Sequence, residues 1–256
     1  KSFMTDEEIC ELFHNEALIR STCENDPNKT EEDALRELNR KLRPGDVPNV
    51  DSIRQYIRGL MFERRKYDLC KVGRYKFNKK LALFKRITDQ IAFEDVITAD
   101  GEVIVAKGDY IDEETAIRIQ NCGINEVAIE VENPATHEIQ GHYVMGNNHV
   151  DLSSYIDCSP RDLGITELVY YPMLKKLLEA SEGNVETLKE LVKQNVDMLV
   201  VKHILIDDII ATLNRNKTML KELIEKACRL VEGLGLHYRL SKLAAGDCSA
   251  SMATTY

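Results

Sequence analysis

Leu35–Leu81 reads LRELNRKLRPGDVPNVDSIRQYIRGLMFERRKYDLCKVGRYKFNKKL, two helical patterns followed by a dense block of positive charge. The first pattern opens just upstream, where Thr30 stands as N-cap ahead of Glu31, Glu32 and Asp33. Ala34, Leu35, Leu38 and Leu42 then recur at helical spacing, and Arg40, Lys41 and Arg43 suit the negative end of the helix dipole. Pro44 and Gly45 stop it. Ser52 to Met61 predicts a second helix with Ile53, Tyr56, Ile57 and Leu60 on one face. From Arg64 to Lys80 there are eight Lys or Arg and a single acid, Asp68. Tyr75 and Phe77 alternate there with Arg74 and Lys76, which in an extended chain gives one packing face and one face for solvent or phosphate.

This block is unusual for its chain. The 256 residues carry a formal charge of -9, yet Arg54 to Arg86 holds twelve Lys or Arg against Glu63 and Asp68, a net +10 that leaves -19 elsewhere. Such asymmetry concerns partners rather than fold, and a basic segment in an acidic chain points to a polyanion. Apolar residues at 43% and charged residues at 30% give the composition of a soluble globular protein. No apolar run approaches the roughly 18 residues of a bilayer span, so no membrane partner is expected. The opening KSFMTDEEICELF has neither a signal-peptide pattern nor an initiator Met, and the chain is expected to start inside a longer one. Seven cysteines, with no Cys-x-x-Cys, are expected to be reduced, mostly buried thiols in a cytoplasmic protein.

Around the block, Thr5 and Glu8 form a capping-box pattern for a short helix, and EALIRSTCE reads as an extended piece. Between Ile91 and Glu132 the pattern changes. GEVIVAKG reads as a strand, DEETAIRIQNCG as a helix capped by Asp112 and ended by Gly123, and INEVAIEV as a second strand. Strands and turns continue to Ile156, with Gly146 and Asn147 as a tight turn. Helices are expected over Thr166–Ala180, Val185–Gln194, Leu205–Asn214 and Lys217–Glu232, before a disordered tail. The fold class is therefore α+β: a mainly helical domain of residues 1–86 and 203–232, interrupted by a small mixed α/β module at 87–202, with 233–256 as the tail.

No phosphate-cradling glycine loop, nucleophile elbow or paired-carboxylate motif appears, so no catalytic residue is assigned. His203 and Asp207 stand four apart and could share a helix face as metal ligands, but Asp207 and Asp208 near a helix start are more simply dipole partners. His137, His142 and His149 match no zinc spacing and are read as solvated loop or strand residues, and no metal ligand is assigned.

The words of the opening stretch carry more than its charges. Leu42, Arg43, Pro44, Gly45 and Pro48, then Met61 and Phe62, then Lys66, Tyr67, Asp68, Leu69, Val72, Gly73, Arg74, Lys76, Asn78 and Leu81 follow the pattern LRPG-x-P, Phe-Phe-like pair, RYDL-x-x-VGR-x-K-x-N-x-x-L. In this the chain resembles the beta subunit of bacterial DNA-directed RNA polymerase, with Met61 and Lys66 the only mild departures. EALIRSTCENDPNKTEEDAL and KHILIDDIIATLN resemble the flanking parts of the same family over roughly residues 5–214, and 86–202 resembles an extra module carried by some lineages.

The resemblance implies the lobe, one wall of the main cleft, in an enzyme that synthesises RNA on a DNA template. Arg64, Arg65, Lys71, Arg74, Lys76, Lys79 and Lys80 become the candidate DNA phosphate contacts, with Tyr75 and Phe77 as packing residues. The implied partners are DNA and the beta prime, alpha and sigma subunits. No cofactor is expected in this piece, although the whole enzyme would use Mg. After IIATLN the family's DDIDHLGNRR motif is absent and RNKTMLKELIEKACRLVEGLGLHYRLSK stands instead. Two other readings stand beside this one: a stand-alone protein-interaction module with an acidic binding surface, and a small metal hydrolase built on His203 and Asp207.

Overall fold

The computed structural model describes residues 4–47, 49–63, 66, 68–132 and 137–215. The helix expected over 217–232 and the tail expected over 233–256 lie outside these residues, as do Arg64 and Arg65.

The N-terminal part is helical. Helix α1 (Asp6–Leu12) starts with the expected capping box: Thr5 Oγ1 accepts from the Glu8 amide at 3.2 Å, and Glu8 Oε2 accepts from the Thr5 amide at 2.8 Å. Helix α2 (Ala17–Asn25) occupies the piece expected to be extended. It has no neighbouring strand, and a lone extended segment would leave its backbone groups unpaired, whereas a helix satisfies them internally. Thr22 and Asn25 also turn their polar groups onto the Leu18 and Ser21 carbonyls, so residues that favour extended chain locally fit the helix.

Helices α3 (Glu31–Leu42) and α4 (Val50–Ile57) are capped by Thr30 and Asn49, whose side chains accept from the Asp33 and Ser52 amides. They form a small core of Leu35, Ile53 and Ile57. A π-helical turn, Arg58–Phe62, carries on from α4 where an α-helix to Met61 was expected.

Within the basic stretch, Cys70–Leu81 forms helix α5, so its two faces are those of a helix rather than of an extended chain. With 3.6 residues per turn, Arg74, Asn78 and Leu81 fall on one face, and all three are buried. Lys76, Lys79 and Lys80 fall on the opposite side and are exposed. The alternation of Tyr75 and Phe77 with cations reads as a strand only if this three-residue buried stripe is overlooked.

Helix α6 (Phe84–Ile87) leads into β1 (Gln90–Ile91), β2 (Val96–Ile97), β3 (Val103–Val105), β4 (Tyr110–Ile111), α7 (Glu113–Asn121), β5 (Glu126–Glu132) and β6 (Ile139–Met145). The strands pair as antiparallel ladders β1–β4, β2–β3 and β5–β6, the last in unbroken register from Glu126↔Met145 to Glu132↔Ile139. Their core includes Ile111, Ile119, Val127 and Val144, and it also takes Leu83 and Ile87, so α6 packs with this unit.

Strands β7 (His149–Val150) and β8 (Val169–Tyr170) form a fourth antiparallel ladder. They open a third core, which α8 (Tyr171–Ala180), α9 (Val185–Gln194) and α10 (Val196–Leu199) close around Leu174, Leu188 and Val192. The helix expected from Thr166 begins only at Tyr171, because 169–170 pair with β7 and Pro172 suits a first turn. A further helix, α11, takes up 206–215 of the described residues. The architecture is α+β and mainly helical with small antiparallel sheets. No helix among the described residues is long and apolar enough to cross a membrane.

Candidate nucleic-acid interface

The two faces of α5 do different work. On the inner face, Arg74 is only 1% exposed, and every nitrogen of its guanidinium has an acceptor within the chain. Nε donates to the Val201 carbonyl at 2.8 Å, Nη1 lies 2.9 Å from both carboxylate oxygens of Asp208, and Nη2 donates to the His203 carbonyl. Asp208, wholly buried, also accepts from the Leu205 amide at 2.9 Å and from Asn147 Nδ2 at 3.0 Å, and the same Asn147 amide donates to Asn78 Oδ1. Arg74 is therefore a structural cation. Its assignment as a phosphate contact is corrected: no polyanion reaches a guanidinium at this depth, and each of its three nitrogens already donates within the chain.

The acid pair at the start of α11 acts as two clamps. Asp208 holds α5, while Asp207 accepts from Tyr170 Oη at 2.6 Å and Asn148 Nδ2 at 2.9 Å and so holds the β7–β8 region. The other end of α11 is riveted too. Asn214 Oδ1 accepts from Arg86 and from the Met145 amide, and its Nδ2 donates to the Tyr143 carbonyl. His203 precedes the helix, so it shares no helix face with Asp207, and its backbone carbonyl serves Arg74. Among the described residues no three His, Cys, Asp or Glu side chains gather as metal ligands.

His142 and His149 are buried rather than solvated. His149 Nδ1 lies 2.7 Å from the Asn147 carbonyl, which fixes the proton on Nδ1 and leaves Nε2 as a buried acceptor with no hydrogen-bond partner among the described residues. Burial, reinforced by the nearby Arg74 charge, lowers its pKa to about 4.

On the outer face, Lys76, Lys79 and Lys80 form a solvent-facing stripe, with Lys71 exposed near the start of the helix. Lys71 Nζ is 3.4 Å from Glu167 Oε1, so its charge is partly answered within the chain. Tyr75, expected to pack, is 60% exposed, whereas Phe77 is half-buried beneath the Arg74 guanidinium. Cys70 is exposed, against the expectation of a buried thiol.

A family model described as RNA polymerase Rpb2, domain 2, matches residues 2–114, which includes every element from α1 through α6 and β1 through β4. The chain is 45% identical over 211 residues, 82% of its length, to the DNA-directed RNA polymerase subunit beta of Clostridium botulinum (strain Loch Maree / Type A3). It is 46% identical over the same length to that of Clostridium kluyveri. The chain belongs to the RNA polymerase beta-subunit family. It spans about one sixth of these curated relatives, 16% of each, so it corresponds to a segment of the beta subunit.

Within the beta-subunit segment, the family words at α5 acquire distinct physical meanings. Arg74 and Asn78 are the buried polar anchor, and Gly73 is where the helix backbone comes close to Leu69, whose Cβ would lie 3.1 Å from an added methyl. Leu69 in turn donates its amide to the Lys202 carbonyl at 2.7 Å, tying this word to the strand of chain that precedes α11. The burial of an arginine could not be read from charge density. Its sequence sign was Asp208 far along the chain, which had been read only as a helix-start acid.

Proposed function

We propose that this beta-subunit segment forms part of the lobe wall of the polymerase cleft and holds DNA there through phosphate contacts during RNA synthesis. The observation that carries the reading is the split of α5: one arginine is consumed as an anchor, and three lysines are left on a single solvent face. The contacts are Lys76, Lys79 and Lys80, with Lys71 at the edge where Glu167 tempers it, and with Arg64 and Arg65 retained from the sequence. Lysines reach phosphates as point charges without reading bases, so the binding is salt-sensitive and indifferent to sequence.

The chemistry of nucleotide transfer belongs to the whole enzyme, a cytoplasmic assembly with the beta prime, alpha and sigma subunits, and no catalytic group is assigned here. Its Mg does not fit the acid pair of this segment, because Asp207 and Asp208 are committed to Tyr170, Asn148, Asn147 and Arg74. The organisation goes with the reading: residues 1–86 and 203–232 form the lobe part, and 87–202 form the inserted module.

The test is the affinity for a fluorescent forked DNA across a salt series, with Lys76→Ala/Lys79→Ala/Lys80→Ala beside the parent. The triple variant is expected to weaken binding at every sequence and to flatten the log-log salt slope by about 2 to 3. An unchanged slope would defeat the reading.

A further inference from the structure

A cleft of about 430 Å³ lies between α5–α6 and the loop that runs from Asp151 to Leu168. Its volume is in the range that takes one small molecule, and it sits where two parts of the chain meet, a usual place for a ligand site. The α5 wall supplies Tyr75, Asn78, Lys79 and Ala82 from the flank where its buried and solvent faces meet, and α6 adds Phe84 and Lys85. The facing wall supplies Arg161, with Ile165 and Leu168 as apolar floor and Ser153 and Ser159 at the rim.

The charge balance favours an anion. Lys79, Lys85 and Arg161 are exposed, and none is ion-paired to a described carboxylate. Both acids of the lining are already engaged: Asp151 caps a short 3-10 turn by accepting from the Ser153 amide at 2.9 Å, and Glu167 is held by Lys71 and Thr166. The Lys71–Glu167 ion pair, at 3.4 Å, ties α5 to the loop that forms the facing wall.

The aromatic groups add shape. Tyr75 presents an open ring, and Lys79 Nζ stands 6.0 Å from its centre. A flat ring stacked on Tyr75 would therefore carry an attached phosphate within reach of Lys79, with Arg161 and Lys85 on the rim of the same cleft. A bare phosphate would leave the aromatic wall unused, and an uncharged ring would leave three cations unanswered.

We infer that this cleft binds a small molecule in which a flat ring is joined to a phosphate, a mononucleotide being the ordinary kind. The ring stacks on Tyr75, and the phosphate is held by Arg161, Lys79 and Lys85. This site is separate from the DNA-contact stripe except for Lys79, so Tyr75 and Arg161 test it without touching the other lysines.

The experiment is calorimetric titration of the full 256-residue chain with adenosine 5′-monophosphate and guanosine 5′-monophosphate, beside adenosine and inorganic phosphate alone. The nucleotides are expected to bind with Kd below about 1 mM, and each half alone at least about tenfold more weakly. Tyr75→Ala and Arg161→Ala are each expected to weaken binding by about fivefold or more, with Tyr75→Phe restoring the stacking loss. Both side chains are solvent-exposed, and a thermal melt matching the parent confirms the fold of each variant. Absence of nucleotide binding, equal binding by the variants, or an affinity fully reproduced by phosphate alone would overturn the inference.

Discussion

Arg74 and Asp208 meet in a buried ion pair across 134 positions of chain, both carboxylate oxygens standing 2.9 Å from the same guanidinium nitrogen. The pair joins α5, the helix that bears the family words, to α11. Removing one member leaves an uncompensated charge in a dry interior, which costs about 3–5 kcal/mol. Arg74→Ala and Asp208→Ala are each expected to lower the urea-unfolding free energy by about that much, and the double variant by much less than the sum. Additive losses would show that the two residues act independently.

The same helix supplies a control. Lys76, Lys79 and Lys80 point to solvent, and replacing each by Ala is expected to move the unfolding free energy by no more than about 0.5 kcal/mol. A large loss at any of them would place that lysine in packing and remove it from the DNA-contact set.

His149 makes stability depend on pH. It is held neutral in the folded chain down to about pH 4, while in the unfolded chain it takes a proton at its ordinary value near 6.5. Below 6.5 the unfolded state binds more protons, so stability rises with pH, is complete above that value, and falls away as the pH drops toward 4. The loss is on the order of 3 kcal/mol across that window. Stability against pH for the parent and for His149→Gln is the check: the variant's curve is expected to be flatter between pH 6.5 and 4, and parallel curves would rule the histidine out as the source.

Two glycines with similar backbone angles separate strain from collision. Gly183 has φ of 81° and open space around it, so Gly183→Ala carries only the left-handed backbone cost of about 1–2 kcal/mol. Gly123 has φ of 79°, and a methyl there would come within 2.1 Å of the Tyr171 ring. Gly123→Ala is expected to lose about 3 kcal/mol or more in denaturant melts. Equal losses at the two sites would mean that the Tyr171 ring moves aside freely.

Elements that depend on short-range chemistry were legible in the chain. Thr5, Thr30 and Asp112 cap α1, α3 and α7 through their own neighbours, and apolar residues recur at helical spacing behind each cap. Where the outcome turned on distant partners, reading failed. EALIRSTCE became α2 rather than extended chain, and Val169–Tyr170 pairs with β7, so the helix expected from Thr166 starts only at Tyr171. The basic stretch misled for another reason: its buried stripe is polar, Arg74 and Asn78, and a hydrophobic pattern cannot report a face buried by ion pairing.

The order of residues was enough for the family, the caps, the α+β class and the concentration of cations between Arg54 and Arg86, because each is a property of neighbouring residues or of composition. Tertiary structure alone decided which of those cations face solvent. A guanidinium can leave water only where enough acceptors converge on it, and those of Arg74 come from Val201, His203 and Asp208, which the fold brings to it from 127 to 134 positions further along the chain.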